Sequence, residues 1–152
     1  MKKNYITDTP GKTRKLGKNL AEVIIGSQKS FKKAKVLGLK GDLGGGKTTF
    51  LQGFARGLGV SKKILSPTFV IMKRYPLKKD KNLFKNFYHL DCYRVKNSKE
   101  ILNLGFQKII FNSQNIVAVE WAEKIKKQFP KKIFWIEFQF INDKKRKITI
   151  TS

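Results

Sequence analysis

Eight consecutive residues constrain this chain more than any others: Gly41-Asp42-Leu43-Gly44-Gly45-Gly46-Lys47-Thr48. The run before them, 34–40, is short and apolar, as a buried strand requires. The run after them, 48–58, places Phe50, Leu51, Phe54 and Leu58 at helical period. Strand, glycine loop and helix form the context in which G-x-x-x-x-G-K-[ST] cradles phosphate. Glycines let backbone N–H groups converge on an anion without Cβ obstruction, and the positive end of the following helix faces the same anion. Asp42, Leu43, Gly44, Gly45, Gly46, Lys47, Thr48 and Thr49 are therefore expected to wrap the phosphates of a nucleotide. Lys47 would reach the β- and γ-phosphate oxygens, and Thr48 would offer its hydroxyl to a bridging Mg2+.

The rest of the chain supplies a frame for that unit. Leu16, Leu20, Val23 and Ile24 predict a helix over 13–25, ending near Gly26. Ser66-Pro67-Thr68 marks a loop, because Pro67 fixes its φ and lacks a donor. The β-prone stretches 69–75 and 84–90, with a charged tip at 78–81 between them, predict a hairpin. A short helix over 98–104 stops at Gly105. The unbroken apolar run 116–119 is of the kind found in the middle of a parallel sheet, and 121–129 reads as the helix after it, ended by Pro130. The β-rich runs 133–141 and 147–151 flank the polar turn 142–145, which makes a second hairpin. The sum is an α/β, three-layer P-loop NTPase-like fold with a mixed, partly antiparallel sheet. It fits one domain spanning 1–152, with the site at the carboxyl ends of the parallel strands.

A hydrolase needs an acid near the metal and a group beside the attacking water. Two predicted strands end in carboxylates: Ile116-Val117-Ala118-Val119-Glu120 and Phe87-Tyr88-His89-Leu90-Asp91. Glu120 has the position of a Walker-B acid and is assigned to the Mg2+ shell. Asp91 is assigned to the side from which water attacks, so that Lys47, Asp91 and Glu120 make the catalytic set. His89, the only histidine, is either a strand residue on the face of Asp91 or a catalytic group. Arg94 either clamps a phosphate or pairs with Asp91. Trp121 reads as packing and Cys92 as a small buried residue.

Composition bounds the setting. Cys92 is the sole cysteine, so an intramolecular disulfide and a Cys-based zinc site are both excluded, and a reducing compartment fits best. With no visible signal peptide and no run of about 18 apolar residues, a cytoplasmic location and no membrane contact are expected. The formal charge of +24 has two readings. Lysine-rich drift on solvated positions is one, and phosphate neutralisation on a nucleic acid is the other.

The strings Gly41 to Thr49, Ser66-Pro67-Thr68-Phe69, His89-Leu90-Asp91-Cys92-Tyr93-Arg94, Leu104-Gly105-Phe106 and Val119-Glu120-Trp121 together resemble the TsaE (YjeE) family of bacterial ATPases. The resemblance runs from Thr13 to Arg146. It implies ATP and Mg2+ as cofactors and a role in threonylcarbamoyladenosine modification of tRNA next to the anticodon. It also implies work with a TsaB-TsaD complex; on the charge argument, tRNA itself is expected to be contacted only weakly or indirectly. By the same resemblance Ser66-Pro67-Thr68 is a switch-like segment near the γ-phosphate, Thr48 and Glu120 are the metal positions, and Asp91 is the other essential acid. Gly45 departs from the family's usual Ala, and Cys92 from its common Leu. Residues 10–13 and the turn near Lys145 are candidates, by position only, for contact with adenine.

Two other classes remain to be separated from an ATPase. A small-molecule P-loop kinase would need an arginine-rich lid, whereas Arg14, Arg56, Arg74, Arg94 and Arg146 do not cluster. A basic RNA-binding module with a structural P-loop would not need Lys47, Thr48, Asp91 and Glu120 together.

Overall fold

A computed structural model of the chain describes residues 1–27, 31–66, 71–78 and 83–152. Its strands are β1 (Lys2–Thr7), β2 (Lys35–Gly41), β3 (Met72–Pro76), β4 (Asn86–Asp91), β5 (Asn115–Glu120), β6 (Phe134–Phe140) and β7 (Arg146–Thr151). The helices are α1 (Pro10–Gly26), α2 (Lys47–Gly57), α3 (Ser98–Leu102), α4 (Phe106–Phe111) and a 3-10 helix, Ala122–Gln128. One sheet runs in the order β1-β7-β6-β2-β5-β4-β3. Its centre, β6-β2-β5-β4, is parallel; β3 pairs antiparallel with β4, and β7 with both β6 and β1. Both expected hairpins are present as these antiparallel pairs, although Pro67, Thr68, Phe69 and most of the charged tip lie outside the described residues.

Alternation along the central strands sends side chains into two cores. Leu37, Leu39, Phe87, Ile116 and Ala118 pack with Phe50, Leu51 and Phe54 of α2 and with Ala21 and Ile24 of α1. On the other face Val36, Leu90, Val117 and Val119 pack with α3, α4 and the 3-10 helix through Ile101, Phe106, Ile109, Ile110, Ala122 and Ile125. Helix, sheet and helix are thus three layers, each held by side chains whose burial is worth roughly 1.5–3 kcal/mol apiece.

α1 and α2 pack unusually closely. A Cβ built on Gly53 would lie 1.8 Å from the Arg14 carbonyl oxygen, and one on Gly17 2.1 Å from that of Phe50. Glycines at both positions let the two backbones touch, which fixes the start of α1 against the loop that opens α2. α1 begins at Pro10, earlier than the expected residue 13, because Thr9 caps it by accepting from the Lys12 amide and Pro10 sits in the first turn.

Three local expectations change. The helix expected over 98–104 is α3, which already ends at Leu102 with Asn103 as its C-cap, and Gly105, left-handed at φ 77°, is instead the N-cap of a further helix, α4. The segment after β5 is a 3-10 helix interrupted at Ile125, and its buried residues Ala122 and Ile125 stand three apart, the period of that tighter coil. The edge strand β1 was not expected, since of its residues only Thr7 is buried.

Candidate active site

Lys47 to Gly57 form a helix whose first residues face the end of β2. Gly46, at φ 100°, is its N-cap, and no side chain caps it, so its first N–H groups remain turned to the loop. Gly41 ends β2 against β6, where a Cβ would come 2.3 Å from the Phe138 carbonyl oxygen. The loop therefore follows from two glycine constraints, one of conformation and one of close approach. Leu43, Gly44, Gly45, Gly46, Lys47, Thr48 and Thr49 line a cavity of about 330 Å3 together with Ser66, Asp91, Tyr93, Glu120 and Trp121. Asp42 alone among the expected loop residues lies outside this lining; its side chain is exposed, and its carbonyl accepts from the Gly45 amide.

The Lys47 ammonium is held by the loop itself. Nζ donates to the Gly41 carbonyl at 2.6 Å and the Asp42 carbonyl at 2.7 Å, and it lies 4.2 Å from the centre of the Trp121 ring. Burial pulls its pKa below the ordinary lysine value, against the carboxylates of Glu120, Glu123, Asp42 and Asp91, which favour the charge. An anionic oxygen replacing those neutral carbonyls would strengthen each bond about twofold.

Sheet register brings the two acids together. Asp91 at the end of β4 lies opposite Glu120 at the end of β5, and Glu120 lies opposite Leu39 of β2. Both carboxylates fall on the α2 face, in step with Phe87 and Ala118. There Thr48 Oγ1 donates to the Glu120 carboxylate, at 3.1 Å from Oε1 and 3.0 Å from Oε2. His89 Nε2 is 2.8 Å from Glu120 Oε1. The Ser66 hydroxyl donates to Asp91 Oδ2, while the Tyr93 amide donates to Oδ1 at 2.8 Å. Asp91 and Glu120 are buried, at 6% and 3% exposure, so each carboxylate depends on these donors.

The oxygen set suits Mg2+. Among the described residues no group of three or more His, Cys, Asp or Glu side chains could hold a metal unaided. Mg2+ takes one or two protein oxygens, with waters and substrate phosphates completing its shell. The Thr48 hydroxyl and the Glu120 carboxylate are such a pair, already within hydrogen-bond distance.

The structure brings Lys47, Thr48, Glu120 and Asp91 to one cavity, with an aromatic wall of Tyr93 and Trp121 that the sequence does not announce. Trp121 has φ 56° and ψ 41°, a left-handed backbone that costs a bulky residue of order 1–3 kcal/mol. That turn sets its ring beside Lys47 and 5.1 Å from the Tyr93 ring. No sequence signal marks such a conformation. A second cavity, about 300 Å3, adjoins the loop at Gly44, Gly46 and Thr49 and is walled by Thr9, Pro10, Thr13, Lys144 and Arg146. Cys92 is fully buried, as expected.

A parallel strand, a glycine loop with a lysine, and a helix whose first hydroxyl meets the carboxylate of the adjacent strand define a P-loop α/β protein. The family model described as threonylcarbamoyl adenosine biosynthesis protein TsaE matches residues 7–148. The chain is 42% identical over 121 residues to the tRNA threonylcarbamoyladenosine biosynthesis protein TsaE of Bacillus subtilis, covering 80% of this chain and 72% of that one. It is 31% identical over 139 residues to TsaE of Haemophilus influenzae, covering 91% and 82%. The crystal structure of Bacillus subtilis YdiB matches with a TM-score of 0.72 at 32% identity, covering all of this chain and 86% of that one. This chain belongs to the TsaE family, whose role is tRNA threonylcarbamoyladenosine biosynthesis. Among the described residues no helix is long and apolar enough to cross a membrane.

Proposed function

We propose that this chain, as one domain over 1–152, is an Mg2+-dependent ATPase. It would serve threonylcarbamoyladenosine modification of tRNA next to the anticodon, acting in the cytoplasm with the TsaB-TsaD complex. The observation that carries the ATPase reading is the contact of Thr48 Oγ1 with Glu120 at the first turn of α2, beside Lys47. It joins a phosphate cradle to an oxygen pair of the type that holds Mg2+.

In this reading the loop amides from Gly44 to Thr49 hold the β- and γ-phosphates, and Lys47 exchanges its carbonyl partners for phosphate oxygens. The adjoining cavity, walled by Pro10, Thr13 and Lys144, receives the nucleoside end. Thr48 and Glu120 would hold Mg2+, which would supply neutralisation of the phosphate charge. Asp91, buried and fixed by Ser66 and the Tyr93 amide, orients a water for in-line attack. The new bond joins the water oxygen to the γ-phosphorus, the bond from that phosphorus to the bridging oxygen breaks, and ADP and phosphate leave with the water's protons. Charge developing on the transferred group meets Lys47, and no arginine is among the described residues that line the cavity. Unaided turnover is therefore slow, and the partner complex raises it.

The test is phosphate release from ATP and Mg2+, with and without TsaB-TsaD, for wild type, Lys47→Ala and Glu120→Ala. Wild type with partners turns over and both variants lose at least about a hundredfold. Turnover that survives Lys47→Ala overturns the assignment of the loop. Phosphate transfer that occurs only when a nucleoside or sugar is added makes the chain a kinase instead.

A further inference from the structure

We infer that His89 is a positioning residue, whose Nε2–H fixes the Glu120 carboxylate in the orientation that presents it to Thr48 and to Mg2+. The inference rests on the metal role proposed for Glu120. It starts from the sheet: His89 lies opposite Ala118, two residues before Glu120 on the same face, so the imidazole reaches diagonally to the carboxylate.

The ring is completely buried. Packing alone does not explain it. The neighbouring position on that face, Phe87, is apolar, and a leucine would fill the space of His89 without burying polar atoms. Instead the chain buries an imidazole that makes one hydrogen bond, at 2.8 Å, and leaves Nδ1 without a partner among the described residues. A carboxylate only accepts, so Nε2 carries the hydrogen, and Nδ1 is the cheaper nitrogen to bury bare, as a lone pair.

That cost is spent on a torsion. The terminal torsion of a glutamate is broad and roughly two-fold, so the carboxylate plane is not set by its own rotamer. With His89 on Oε1 and the Thr48 hydroxyl shared between both oxygens, the plane is held from two directions. Thr48 would offer a cation only an oxygen lone pair, and its single hydrogen is divided between the two Glu120 oxygens, so it does not by itself fix the carboxylate plane. His89, aimed at Oε1 alone, is the donor that fixes it, an outer partner of the kind whose loss costs a metal site about 10–100-fold.

Because His89 is the only histidine in the chain, its ring signals can be read without ambiguity in untagged protein. The experiment has two parts. In metal-free, nucleotide-free protein, long-range 1H-15N spectra report the imidazole nitrogens of wild type and Glu120→Gln; the Nε2 signal moves in the variant, and an unmoved signal overturns the contact. Then binding of a fluorescent ADP analogue is followed across Mg2+ concentrations and in EDTA for wild type, His89→Leu, His89→Asn and His89→Gln. Gln can place an N–H near the Nε2 position, whereas Asn stops one bond short. His89→Leu and His89→Asn need about tenfold or more Mg2+ for the same tightening, His89→Gln stays within about threefold of wild type, and EDTA binding is alike in all. Equal Mg2+ dependence for Gln and Asn overturns the inference even if the Leu variant does not fold. So does an equal loss in EDTA, the mark of a purely structural role. If wild type itself shows no Mg2+ dependence, the metal reading of Glu120 fails and this inference with it. If wild type is Mg2+-dependent and every variant matches it, only the inference fails.

Discussion

Gly53→Ala tests the packing that sets the loop. The added Cβ would lie 1.8 Å from the Arg14 carbonyl oxygen, 2.5 Å from its carbon and 2.6 Å from Arg14 Cα. Ordinary contact begins near 3.4 Å, so α1 and α2 must part by up to about 1.6 Å at that point. All three atoms are backbone, so no rotamer relieves the clash. Overpacking of a core costs about 1–3 kcal/mol, and a backbone-on-backbone clash belongs at or above the top of that range. Alanine returns up to about 1 kcal/mol in helix propensity. The net loss is about 2–4 kcal/mol, or a fall in Tm of roughly 5–15 °C for a chain of this size. Calorimetry or urea unfolding measures it, with two internal controls. Gly57→Ala meets the Ala21 Cβ at 2.7 Å and the Lys18 carbonyl at 2.8 Å and should cost about half as much. Gly26→Ala meets nothing within 4 Å and should be neutral or stabilising by up to about 1 kcal/mol. A Gly53→Ala protein as stable as wild type, or a series without this order, refutes the account of α1 against α2.

Other consequences concern chemistry at a distance from that interface. Burial pushes the Cys92 thiol up from 9.0 to about 12, so the folded state keeps it protonated where an unfolded chain ionises. The stability this contributes is complete below about pH 9 and is lost as pH rises toward about 12, an effect of up to about 4 kcal/mol. The advantage of wild type over Cys92→Ala in urea unfolding should therefore shrink between about pH 8 and about pH 11; an advantage that grows contradicts the sign. At neutral pH the folded thiol should resist a disulfide reagent until the protein is denatured. If the charge of +24 reflects solvated lysines rather than a built RNA surface, tRNA binding by the chain alone is weak and falls steeply with salt. Tight binding that ignores salt in filter-binding assays refutes that reading.

Much of this was legible in the residues because the strongest signals are local. The strand, loop and helix around Lys47 need only glycine chemistry and apolar period, and the two strand-end acids need only a parallel sheet to meet. β1 escaped because an edge strand with one buried residue, Thr7, has no apolar alternation to detect. α4 escaped because six residues hold too few turns to display a period, and because Gly105 reads in sequence as a helix stop but serves as the N-cap of the next helix. The pairing of His89 with Glu120 depends on register between strands β4 and β5, whose ends are 29 residues apart. The left-handed turn at Trp121, which completes the wall of the cavity, is a tertiary outcome with no residue-type signature.

The central claim is that residues 41–48 hold the phosphates of ATP with Mg2+ at Thr48 and Glu120. Backbone amide spectra recorded during titration with a non-hydrolysable ATP analogue and Mg2+ test it most directly. The account predicts the largest shifts at Gly44, Gly45, Gly46, Lys47 and Thr48, a further Mg2+-dependent change at Glu120, and the loss of both in Lys47→Ala. Shifts that fall elsewhere, or a titration unchanged by Lys47→Ala, would contradict it.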